Sequence, residues 1–317
     1  MSISIIIPST GNRTSVLHET LGAALLAVEG IEAEVIVIKR ENKLVVVEHP
    51  KLRIVNVEFN NVSASRNLGA KLAKYEVLFI IDDDIIISKY NVIKFVELNS
   101  YLKSPYLVTA RWEHSQHVVD LKTHTFLGQM LGMYFPNDSF KTRYINSAKE
   151  NDWQDSVLFK SAMKNVFWEL CFSMRRVDYL KIGGMDESFD FGYEGVDFLK
   201  RALAGGIYYY VDATNTVVHN EWDKFDDWNI PEKRWKTEAQ LFNDGKGLMA
   251  YSNRNYFYKL LYGIIIHTFS MPLKVFMRAT TVKSRFLPGY FKLFDIYLTS
   301  IFWHQIKWKT LRNIPRP

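Results

Sequence analysis

The chain has 317 residues, 48% hydrophobic and 23% charged, the composition of a globular protein with enough apolar residues for a sizeable core. Its single cysteine, Cys171, excludes an internal disulfide and suits a reducing compartment. The net charge of +6 is unevenly spread: residues 253–317 hold 11 Lys and Arg against Asp295 alone, so residues 1–252, with 29 basic against 33 acidic side chains, are net negative.

In chain order, Ile3–Ile7 reads as a first strand, since it lacks the basic flank and the length of a signal peptide. Val16, Leu17, Leu21, Ala24, Leu25 and Val28 recur at helical spacing, and further strands are expected at Glu34–Ile38, Leu44–Val47, Arg53–Val57 and Val77–Ile81. Ser63–Lys74 carries Leu68 and Leu72 on one helical face. Unbroken β-branched runs joined by helices predict an α/β fold, Rossmann-like, with a mostly parallel central sheet. A helix at Asn91–Leu98 and a strand at Tyr106–Trp112 follow, then some fifty residues without sustained period. Order resumes with a strand at Val166–Met174, a helix at Glu194–Ala204 stopped by Gly205-Gly206, and two short strands, Ile207–Val211 and Thr216–Val218.

Asp82, Asp83 and Asp84 directly follow the apolar strand Val77–Ile81, and ligands of open α/β sheets sit beyond such strand ends. Three adjacent carboxylates repel one another unless a cation or solvent relieves them, and a hard divalent ion shared with substrate phosphates does so. The alternative is a solvated acidic turn.

This stretch resembles the Asp-x-Asp motif of GT-A glycosyltransferases, family 2 in particular. Ser4-Ile5-Ile6-Ile7-Pro8 resembles that family's opening strand, and Ser65-Arg66-Asn67-Leu68-Gly69-Ala70 its Ala-Arg-Asn-x-Gly segment. Gly183-Gly184-Met185-Asp186-Glu187 and Tyr193-Glu194-Gly195-Val196-Asp197 resemble its Gly-Gly-Phe-Asp-Glu and Glu-Asp-x-Asp pair, and His219 stands where many members have a late histidine. The match spans roughly residues 3–220.

The resemblance implies an inverting transfer of a sugar from a nucleoside-diphosphate sugar donor to a hydroxyl of a glycan or lipid-linked acceptor. It implies Mn²⁺ or Mg²⁺ held by Asp82, Asp84 and His219, with imidazole favouring manganese. Donor contacts are expected from Pro8, Thr10, Arg13, Arg66, Asp82, Asp83 and Gly184, and acceptor contacts from Asp186, Glu187 and Trp222. Glu194 is the expected general base and Asp197 the alternative, because Gly195 replaces the acid that usually follows the glutamate. Both acids also suit the first turn of a helix for reasons of its dipole alone. The second strand ends Lys39-Arg40-Glu41-Asn42 instead of the family's base-reading Asp, so base identity does not carry over.

These features predict a catalytic domain over residues 1–235 and a helical appendage over 236–317. The appendage holds 14 Phe, Tyr and Trp residues beyond residue 252, and its longest charge-free run, Leu260–Leu273, is too short to span a bilayer. Aromatic and apolar stripes with excess positive charge predict peripheral contact with an anionic membrane, on the cytoplasmic face, or else packing on the catalytic body or another subunit. Nucleic acid is not expected as a partner, because the acidic body would repel it. An inactive GT-A domain serving as a membrane scaffold is the second reading, and a nucleotidyltransferase the third. The last lacks a Gly-rich phosphate loop after the first strand.

Overall fold

The computed structural model describes residues 2–10, 13–40, 47–117, 119, 158–160, 167, 169–189 and 194–220. Strand β1 (Ser2–Ser9) pairs in parallel with β2 (Glu32–Arg40) on one side and β4 (Val77–Ile81) on the other. Their apolar runs are continuous because both faces are covered. Ile5, Val35 and Phe79 enter one core with Leu17, Leu21 and Phe95. Their sequence neighbours Ile6, Ile36 and Leu78 enter a second core with Ala70 and Phe198. The first core lies under α1 (Thr14–Ala27) and α3 (Lys89–Tyr101), the second under α2 (Val62–Leu72) and α5 (Glu194–Ala204).

The sheet runs β3-β2-β1-β4-β8-β6-β9-β5, with β7 (Leu158–Lys160) also on β9. Here β3 is Leu52–Val57, β5 Ile85–Ile86, β6 Tyr106–His114, β8 Cys171–Arg175 and β9 Tyr208–His219. Strands β1, β2, β3, β4, β6 and β9 run one way, and β5, β7 and β8 run against them. The fold is α/β with a mixed sheet of mostly parallel strands flanked by helices. Except for Val119, the described residues belong to one compact unit. The expected boundary near residue 235 and the appendage lie outside the described residues.

Local chemistry sets the helix ends. The Asn61 side chain accepts from Ala64 N to cap α2, and Ser88 with Asn91 forms a reciprocal capping box on α3. Gly69 lets α2 press against β1, since a Cβ there would stand 2.3 Å from Ile6 Cγ2. The short α4 (Arg176–Lys181) ends as Gly183 and Gly184, both at positive φ, return their amides to the carbonyls of Leu180 and Tyr179.

Three sequence expectations need correction. The two strands expected at Ile207–Val211 and Thr216–Val218 are one strand, β9, which starts at Tyr208 and pairs Asp212 and then Thr216 with the successive β6 residues Ala110 and Arg111. The Asp212 carboxylate accepts from the amides of Thr214 and Asn215 and from the Thr214 hydroxyl, closing the bulge that looked like a break. The strand expected over Val166–Met174 begins only at Cys171, because Glu169 and Leu170 form a turn. At Leu44–Val47, only Val47 is described, and it is not in a strand.

Candidate functional site

The C-terminal ends of parallel strands β1, β4, β6 and β9 bring Ser9, Asp82–Asp84, His114 and His219 to one edge of the sheet. The three aspartates then part company. Asp82 continues the ladder, its N–H donating to Leu170 O, and its Oδ1 accepts from Arg66 Nη2 at 2.6 Å. Asp83 turns toward β1, accepting from Ser9 Oγ at 2.7 Å and Arg13 Nη1 at 3.0 Å. The fully buried Asp84 accepts from Arg13 Nη1 at 2.9 Å, and its Oδ2 lies 3.3 Å from His219 Nε2. That last meeting follows from the register, for Ile85 pairs with His219 and Asn220 N donates to Asp84 O.

Arg66 is 1% exposed, so the solvent-facing reading of this first-turn arginine is excluded. Burial alone would lower its pKa, but Asp82, Glu194 and Glu169 around it outweigh that and raise it. Its Nη1 lies 3.4 Å from Met185 Sδ and 3.7 Å from Glu194 Oε1. Glu194 is 8% exposed, and among the described residues its Oε2 has no hydrogen-bond partner. Glu169 completes the group. Its carboxyl is pushed up to about 7, first by withdrawal from water and then by the Glu194 charge, against the pull of Arg66. One guanidinium thus gathers three carboxylates.

The adjacent Asn67 fixes the glycine turn. Its amide donates to Met185 O and Glu187 Oε1, while its Oδ1 accepts from Tyr179 Oη and Met185 N. Asn61 Nδ2 donates to the carbonyls of Glu187 and Phe189. Asp186 is spent on the Ser188 amide and Asp197 on Arg201, whose Nη1 also caps α4 through Ile182 O and Gly184 O. Asp197 and Glu187 therefore serve as internal ties in this structure, and Glu194 alone of the expected acids from this half sits over Arg66.

On the other side of the site, His114 stacks on His219, and Trp112 meets both rings edge-on. Asp84 and His219 offer an oxygen and a nitrogen donor at one point, a pair suited to Mn²⁺. Among the described residues no group of three or more His, Cys, Asp or Glu side chains converges as a metal cage. Arg13 already places a positive charge beside this pair, its Nη1 2.9 Å from Asp84 Oδ2. Asp82, also expected as a ligand, holds its Oδ1 2.6 Å from Arg66 Nη2.

Pro8 is buried in β1 opposite Ile38, and Thr10 follows that strand, half-buried. Trp222 lies outside the described residues. The sequence reading missed Glu169. It stands two residues before β8, so the β4–β8 ladder carries it toward Asp82, but only the pairing of distant strands reveals that. Comparison with protein-family models and with curated proteins returns no match to this chain.

Proposed function

We propose that the chain is an inverting glycosyltransferase of the GT-A type, taking a nucleoside-diphosphate sugar as donor and a hydroxyl of a glycan or lipid-linked glycan as acceptor. One observation supports this above the rest. The buried Arg66 and half-buried Arg13, three aspartates, a histidine and a glutamate with an oxygen unsatisfied among the described residues gather at the C-terminal edge of a mostly parallel sheet, where α/β folds bind nucleotides.

The division of labour follows from charge. Arg13, reaching over Asp83 and Asp84, is placed to meet a diphosphate, as guanidinium forks suit phosphate oxygens. A divalent ion held by Asp84 and His219 would supply Lewis-acid stabilisation of the leaving diphosphate. Arg66 neutralises part of the carboxylate group, so a carboxylate stays ionised in a buried place and accepts the proton of the acceptor hydroxyl. Of the two acids expected at this place, Glu194, aimed by Arg66 and with Oε2 unpartnered among the described residues, is available to receive that hydroxyl, whereas Asp197 is tied to Arg201. The Asn67-pinned turn over Gly184–Glu187 gives the sugar a fixed wall, which serves proximity and orientation.

The basic aromatic segment beyond residue 252 would hold the enzyme against the anionic cytoplasmic face of a membrane. No helix of the described residues is long and apolar enough to cross one. A second reading, a catalytically inactive GT-A domain acting as a membrane scaffold, is favoured by Gly195, which puts no side chain where an acid is expected. A panel of nucleotide sugars with Mn²⁺, followed by thermal shift and by release of nucleoside diphosphate, separates the two. Stabilisation with turnover supports the enzyme, and binding without turnover supports the scaffold. Absence of both removes each of them.

A further inference from the structure

Gly195 and Glu169 occupy one another's space. A Cβ built on Gly195 would stand 2.0 Å from Glu169 Oε2, 2.6 Å from Cδ and 3.1 Å from Cβ of the same residue. The first two are closer than real Cβ contacts come, so the Glu169 side chain fills the volume that any side chain at position 195 would enter. The vacancy left by the glycine is therefore filled with a carboxylate delivered from the turn before β8.

The surroundings are those of a reacting acid more than of a structural one. Among the described residues no cation stands within ion-pair distance of Glu169, while Arg66 is drawn to Asp82 at 2.6 Å and toward Glu194 at 3.7 Å. Beside it, Glu194 Oε2 is buried without a partner among the described residues, an oxygen whose unmet demand suits a hydroxyl brought by a ligand. With one guanidinium for three carboxylates, the group carries an excess of negative charge that favours taking up a proton. Its raised affinity for protons places Glu169 close to neutrality, where a general base works best.

Resting on the glycosyl-transfer reading above, we propose that Glu169 is the catalytic base, a carboxylate relocated from position 195 to position 169, with Glu194 orienting the acceptor hydroxyl. The acceptor oxygen forms its bond to the anomeric carbon as its proton passes to the Glu169 carboxylate. The bond from that carbon to the diphosphate oxygen breaks, and its electron pair leaves on the nucleoside diphosphate. The proton then passes from Glu169 to solvent. Gly195 is what makes room for this base.

The test compares the full chain with Glu169→Gln, with Glu169→Ala, and with the double variant Glu169→Ala/Gly195→Asp, which returns the carboxylate to position 195. The donor is whichever nucleotide sugar of the panel the wild type turns over with Mn²⁺, assayed by nucleoside diphosphate release. Binding of the nucleoside diphosphate is measured in parallel by calorimetry, and folding by urea denaturation. In Glu169→Gln, kcat falls by about a hundred- to ten-thousand-fold. KM and nucleoside diphosphate affinity stay within about threefold, and the double variant recovers at least about tenfold in kcat over Glu169→Ala. Turnover by a folded Glu169→Gln within threefold of wild type overturns the assignment and leaves glycosyl transfer standing. So does a folded double variant that binds nucleoside diphosphate but recovers nothing. A wild type that neither binds nucleoside diphosphate nor cleaves any donor overturns the glycosyltransferase reading itself, and this assignment with it.

Discussion

The side-chain oxygen of Asn67 lies 2.4 Å from the point where a Cβ on Gly184 would stand, and Gly184 sits at φ +67°. Substitution there meets two penalties at once. A left-handed conformation costs an L-residue about 1–2 kcal/mol, and a displaced Asn67 leaves the Met185 amide and the Tyr179 hydroxyl without their acceptor. Gly184→Ala is expected to lose about 3 kcal/mol or more in urea denaturation. Gly183 provides the control, because its φ is +83° but nothing lies within 4 Å of its Cβ position. Gly183→Ala should lose only the conformational part, about 1–2 kcal/mol.

Arg66 holds the centre of the site together. Arg66→Met removes the cation and leaves Asp82, Glu194 and Glu169 facing one another. Breaking a buried pair costs about 3–5 kcal/mol, and the lower end applies because the Asp82 side chain is 30% exposed. The loss should shrink as pH falls from 8 to 5, since protonation relieves carboxylates that no longer have a counter-charge. An equal loss at both pH values would mean that Arg66 contributes packing alone.

Much of this arrangement was legible in the residues. The run Phe79-Ile80-Ile81 before three acids predicts a buried strand ending in charge, and β4 ends at Ile81 with Asp82 leaving the core. Helix α5 begins at Glu194 and stops before Gly205-Gly206, as its spacing and glycines indicate. What stayed hidden depends on long-range pairing. Arg66 and Asp82 are 16 residues apart and face each other because α2 packs on β1 in the core that β4 also enters. Arg13 is expected as a donor contact after the first strand, but nothing local shows that it bridges two aspartates 70 and 71 positions away. Glu169 carries no local signal at all, and its meaning appears only when β8 is threaded antiparallel beside β4. The glycine at 195 was visible as a missing acid, but a sequence shows a vacancy without showing what fills it.

Arg13 and a divalent ion would compete for the same carboxylate. Arg13 Nη1 lies 2.9 Å from Asp84 Oδ2, and His219 Nε2 approaches that oxygen to 3.3 Å. A hydrogen bond between charged partners is worth about 1.5–3 kcal/mol, so Arg13→Gln should tighten Mn²⁺ binding by about tenfold or more in the absence of nucleotide. His219→Ala should weaken it, because a nitrogen donor is lost. Titration of Mn²⁺ followed by electron paramagnetic resonance reads both. Affinities unchanged in both variants would remove Asp84 and His219 as the cation seat.

The Glu169 carboxyl also gives the fold a pH dependence with a definite sign. Its proton is held more tightly in the folded chain, where it titrates at about 7, than in the unfolded chain, near the ordinary value of 4.5. Between those values the folded state binds the extra proton, so stability falls as pH rises across this window. The contribution is fully present below about pH 4.5 and gone above about 7. Glu169→Gln cannot ionise, so it should lack this slope and lose less stability than wild type between pH 5 and pH 8. Urea midpoints at the two pH values measure the difference. Glu194 sharpens the expectation, because its charge is one of the two main reasons Glu169 keeps its proton. In Glu194→Gln the wild-type slope should therefore flatten as the Glu169 pKa moves back toward 4.5, and parallel slopes in the two proteins would mean that burial alone holds the proton.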